Sequence, residues 1–144
     1  MNRGLAAILA ILMLAGCREV RVKTYAQGTS DAPGSNAVIV VRDRADLEEL
    51  GIKAPVRFNH EFGVVLLLGP HREVGWRQVI ESIRANTSRV QIVAFEVAPV
   101  AGADPAPPYR TYTLWIVPIS VYRRGSHIDV VTPSDEPLAS TVLR

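Results

Sequence analysis

The apolar positions of this chain fall into short runs broken by glycine and proline, and the stretch from Phe58 to Trp76 (FNHEFGVVLLLGPHREVGW) organises them. Val64, Val65, Leu66, Leu67 and Leu68 are apolar without alternation. Gly63 and Gly69-Pro70 bound the run too tightly for a helix, so the pattern predicts a strand buried on both faces. Upstream, Val38-Ile39-Val40-Val41 is a β-branched strand run. Asp43 then caps a short helix from Arg44 to Leu50, with Leu47 and Leu50 facing the core and Gly51 as its stop. Pro55 to Asn59 is an extended approach to the central run.

Downstream, Arg77 to Ile83 alternates without a cleanly apolar face, and Arg84 to Ser88 reads as a hairpin connection. The apolar phase of Arg89 to Val97 slips by one residue, which predicts a bulge near Ile92 and Val93 or burial on both faces. Pro99 to Pro108 carries four prolines and predicts the longest loop. Tyr109 to Val117 alternates as a strand ended by Pro118. Ile119 to Tyr122 and His127 to Val131 flank Arg123-Arg124-Gly125-Ser126 as a hairpin, and Thr132 to Arg144 reads as a loosely packed tail. Residues 37–131 are therefore expected to form a mainly β domain, a small antiparallel β-sandwich or barrel-like fold with one short helix.

The first residues carry an address rather than a fold. Arg3 supplies a positive start, Leu5 to Leu14 is an apolar core of signal-peptide length, and small residues follow. The run is too short to span a bilayer before it meets Arg18. Its end, Leu14-Ala15-Gly16-Cys17, resembles the lipobox of bacterial lipoproteins. That resemblance implies cleavage of residues 1–16 and a diacylglyceryl group on the Cys17 thiol, with further acylation (palmitate) giving the two-chain anchor that stable membrane binding needs. An ordinary signal peptide with a chance cysteine is the alternative. Arg18 is not the aspartate that in such lipoproteins favours the inner membrane, so a cell envelope location is expected, at the outer membrane where one exists. Residues 17–36 are polar with glycine, serine and proline punctuation and predict a flexible tether, with pairing of Glu19 to Tyr25 as an edge strand the alternative.

Composition narrows the function by exclusion. The chain has 144 residues, one domain's worth, with 16 basic and 14 acidic side chains interspersed, so no basic stripe marks a nucleic-acid partner. One cysteine means no intrachain disulfide, and the domain must hold itself by packing. His60, His71 and His127 do not fall into any metal-ligand spacing, and His71 reads as part of a solvated turn. No serine sits in a nucleophile elbow. Neither an enzyme nor a cofactor or metal is expected; only a spatial cluster of His127, Asp129 and a serine would revive a catalytic reading.

The pattern from Val38 to Ile119 also has a counterpart. A strand and capped helix, the Pro55-x-x-Phe58 approach, the apolar strand ending in Leu68-Gly69, and the Gly75-Trp76 corner resemble the C-terminal domain of the PrcB family of protease-complex subunits. The chain departs from that family where Arg57 replaces an acid, Val74 a glycine and Trp76 a tyrosine. Val74-Gly75-Trp76 also stands where some β-sandwich cysteine-protease inhibitors present Thr-Gly-Tyr. The resemblance implies a lipid-anchored module that binds an exported protease or another envelope protein. Its expected contact residues are Arg72, Gly75, Trp76 and Tyr109, because aromatic and arginine side chains anchor interfaces. The second expectation is an envelope or structural lipoprotein whose β domain holds a lipid or glycan.

Overall fold

A computed structural model describes residues 24–86 and 88–144. Cys17, the lipobox and the first part of the expected tether lie outside the described residues. Eight strands form two sheets: β1 (Thr24–Ser30), β2 (Ala37–Val41), β3 (Glu61–Glu73), β4 (Arg77–Ala85), β5 (Arg89–Val97), β6 (Pro105–Pro118), β7 (His127–Val131) and β8 (Pro137–Val142). The first sheet has the order β1-β6-β3-β2 and is antiparallel throughout. The second has the order β4-β5-β7-β8 and is mixed, because β5 and β7 run parallel. The fold is thus mainly β with one short helix, α1 (Arg44–Glu49), as the patterning predicts. Among the described residues no helix is long and apolar enough to cross a membrane.

The unalternating run in β3 has the predicted physical cause. Phe62, Val64, Leu66 and Leu68 enter the core between the two sheets, together with Ile92, Trp115, Val117, Ile128 and Val130. Val65 and Leu67 enter a second core on the other face, covered by Leu47 and Leu50 of the helical segment and by Ile52 and Val56. Val65, Leu66 and Leu67 are wholly buried, and each buried aliphatic side chain of this size is worth about 1.5–3 kcal/mol. Asp43 caps α1 as expected, its carboxylate accepting from the Asp46 amide at 3.0 Å.

Several boundaries differ from the sequence reading. Thr24–Ser30 is a strand along β6 rather than tether. Ser30 hydroxyl, buried, donates to the Leu50 carbonyl at 2.5 Å, and buried Arg110 donates to the carbonyls of Ala32 and Ser35 at 3.1 and 2.9 Å. Burial lowers the Arg110 pKa from its ordinary value, and the two carbonyls supply the dipoles that replace its water. Gly69-Pro70 does not end β3, which continues past a register break between Leu68 and His71. The proline-rich segment is largely strand: β6 begins at Pro105, leaving only residues 98–104 as loop. Proline fits there because Pro105, Pro107 and Pro108 lie at the far end of β6, beyond its pairing with β1, where fewer ladder amides are needed.

The bulge falls on β4 between Ile80 and Ser82, not at Ile92 and Val93 of β5. β5 is regular, with Ile92 and Ala94 in the inter-sheet core and Val93, Phe95 and Val97 half-buried on its other face, so the slip reflects apolar residues on both faces. Ile119–Val121 is a single 3-10 turn, and β7 pairs with β5 and β8 instead of forming the expected hairpin. The expected tail supplies β8, and Leu143 is buried in the inter-sheet core. A strand can be short and weakly patterned when a partner ladder and a core site already exist for it.

Two stability predictions follow from these contacts. Leu66→Ala should cost about 2–5 kcal/mol in chemical denaturation, against less than about 0.5 kcal/mol for exposed Val100→Ala. Arg110→Ala should raise protease cleavage within residues 31–36, because it frees the carbonyls that hold that segment, while the far hairpin at 86–88 should be cut at an unchanged rate.

Candidate functional site

Strand directions give the molecule two ends. β1 runs from Thr24, level with Ile116, to Ser30, level with Arg110, and β3 runs the same way to its end at Glu73. The connection from β3 to β4 and the loop from β5 to β6 therefore meet at one end, opposite Thr24. There the Val74 amide donates to the Asp104 carbonyl at 2.9 Å and ties the two connections together. Gly75 sits at φ +110°, and a Cβ at that position would stand 3.0 Å from the Pro99 Cβ. Glycine is required there by conformation and by close approach together.

The expected contact residues do assemble at this end. The Trp76 ring stacks on His71 with centroids 4.2 Å apart and planes 10° apart. His71 meets Tyr109 edge-on at 5.9 Å, and the Tyr109 hydroxyl donates to the Glu73 carbonyl at 2.6 Å. Arg72 is exposed beside them. His71 is not the solvated turn residue that its local sequence suggests: its side chain is 10 % exposed and its Nε2 lies 2.7 Å from Glu96 Oε1. Glu96 in turn accepts from the Thr111 hydroxyl at 2.6 Å. A chain of contacts thus runs from Trp76 through His71 and Glu96 to β6, and it fixes the indole on a rigid base.

His71 and Glu96 were missed by sequence reasoning because one lies beyond a register break and the other on a different strand. The visible signal was an imidazole and an indole five positions apart across a glycine bend. Beside this base Val74 is 55 % and Val100 85 % exposed. Two of the domain's most exposed aliphatic side chains therefore stand on adjoining connections, next to a fixed aromatic cluster. Behind them, buried Gln78 closes the polar interior: it donates to the carbonyls of Leu66 and Thr111 and accepts from the Thr113 hydroxyl.

Catalytic alternatives can be placed as well. His127 and Asp129 share a face of β7, and the register sets Asp129 opposite Ser140. The Asp129 carboxylate is taken by Arg89 at 3.0 Å, and no hydrogen bond joins the three, so the relay of a nucleophilic triad is not assembled. Among the described residues no group of three or more His, Cys, Asp or Glu side chains could hold a metal ion. Trp115, by contrast with Trp76, is a core residue, 4 % exposed between the sheets. No family model matches the chain, and neither does any curated protein or solved structure compared with it.

Gly75→Ala should destabilise the domain by about 1–3 kcal/mol, the scale of a strained backbone conformation. Gly102→Ala, at φ +81° with open space around it, should cost less, and the difference between the two denaturation midpoints reads the Pro99 contact.

Proposed function

We propose that the chain is a lipid-anchored, exported module that binds another protein through the end formed by residues 72–76 and 98–109. The single observation that carries this reading is the pairing of exposed Val74 and Val100 with an immobilised Trp76. Binding energy concentrates where aromatic side chains are held in place before contact, because little rotamer entropy is then lost. Arg72 and the rim acids Glu73 and Asp104 supply the polar border such a patch needs. The resemblance to PrcB-family subunits suggests an exported protease as the partner class, with the chain as an accessory or inhibitory subunit.

The apolar cleft between the sheets is too small to carry an acyl chain, although a wider surface groove of about 660 Å³ runs along β2 and β8 beside Val38, Val40, His127 and Val142. The cleft between the sheets, lined by residues such as Phe62, Val90, Trp115 and Leu143, has a volume of about 70 Å³. An apolar cavity of about 150 Å³ is what benzene occupies, so an acyl chain does not enter this cleft without parting the sheets.

A photo-crosslinker placed at position 100 in intact envelopes should trap one defined protein, and the same one from position 74. Val74→Asp and Val100→Asp together should lower that yield about tenfold or more, as expected for loss of a central apolar anchor. The reading fails if positions 74 and 100 trap nothing beyond what exposed Lys53 traps.

A further inference from the structure

The opposite end of the domain has a different chemistry, set by the same topology. Chain order brings the 3-10 turn, the 84–89 hairpin, Arg42 and the last residues to the Thr24 end. Ile119 and Val121 on that turn are 45 % and 44 % exposed. Around them stand exposed Arg42, Arg84, Arg123, Arg124 and Arg144. The acids at this end are fewer than its arginines: Glu61 pairs with Arg57 and Asp129 with Arg89, while Asp43 and Asp46 keep their charge as they accept amide hydrogens around the start of α1, beside exposed Arg44. At the Gly75 end the exposed acids are Glu73, Asp104, Asp135 and Glu136, against Arg72 and Arg77. The near-neutral chain is thus polarised, basic at one end and acidic at the other.

The N-terminal segment, outside the described residues, joins the fold at Thr24, at the basic end. Between Cys17 and Thr24 lie six residues, three of them basic (Arg18, Arg21 and Lys23) and one, Glu19, acidic, and seven extended steps cover at most about 25 Å. We propose that the Thr24 end docks on an anionic phospholipid surface, with Ile119 and Val121 entering the headgroup region and the arginines pairing with lipid phosphates. This orientation rests on the reading of Cys17 as lipid-bearing, and it sets the Gly75 end outward toward a partner. An open groove of about 300 Å³ at the same end is lined by Arg42, Arg144, Phe58, Ile119, Tyr122 and Glu61. Arg57 holds the Glu61 carboxylate, and Arg42 donates to the Tyr122 hydroxyl and the Arg144 carbonyl, which sets its guanidinium at the groove mouth. Attraction between arginine and phosphate falls off within a Debye length and is released by salt.

The test uses the full chain reconstituted in two sets of vesicles, phosphatidylcholine alone and phosphatidylcholine with one third phosphatidylglycerol by design. Amide hydrogen exchange at residues 119–124 should slow about tenfold on the anionic vesicles only, a scale well resolved by local-opening measurements. It should return to the neutral-vesicle rate in Arg123→Glu/Arg124→Glu, whose positions are exposed and outside both cores. Residues 73–76 and 98–104 should exchange equally on both. Equal exchange at 119–124 on the two vesicles overturns the docking, as does slowing at the Gly75 end instead. The mass of the Cys17 peptide reads the anchor separately: an unmodified cysteine with anion-dependent slowing retained overturns the anchor and leaves the docking surface standing.

Discussion

The structure depends on one strand being covered on both faces. β3 carries side chains into two cores at once, flanked in its own sheet by β6 and β2 and covered on each face by other elements. The second sheet covers the even-numbered side chains of the run, while α1 and the segment after it cover the odd-numbered ones. A strand in that position has no surface on which to tolerate a polar residue, since an unpaired polar group there would cost several kcal/mol. That is why five consecutive aliphatic residues are needed there.

This arrangement also explains how a small domain without a disulfide can fix a surface cluster. The inter-sheet core locks β3 and β5 relative to each other, and His71 and Glu96 are simply the next residues along those two strands beyond the core. Their 2.7 Å contact is therefore inherited from apolar packing further down the sheets. The indole of Trp76 rests on that contact. Order at the tip is a by-product of order in the middle.

Legibility in the sequence followed the strength of the local signal. The central run, the capped helix and the Tyr109 to Val117 strand were readable because hydrophobic period and capping chemistry act within a few residues. β1 and β8 were not, because their residues are small, polar or proline-flanked and become strands only through ladders with β6 and β7. The proline count misled for the opposite reason, since a local rule about loops was overridden at a strand end that needs few amide donors. Of the site, Arg72, Gly75, Trp76 and Tyr109 were legible as types that interfaces favour, and the structure brings them together. Their support was illegible, because the register break at Gly69-Pro70 decides which face His71 joins.

The placement of β1 has a mechanical meaning. It is the first described strand, it lies at a sheet edge, and its seven residues pair with β6 in continuous register from Thr24 to Ser30. A pull applied at Thr24 against the opposite end of the domain acts along the strand axis rather than across it. All the ladder bonds of β1 then share the load in shear, and none can be opened one at a time from an end. An edge strand that would peel easily under sideways force is, against any pull along its own axis, held by its whole ladder at once.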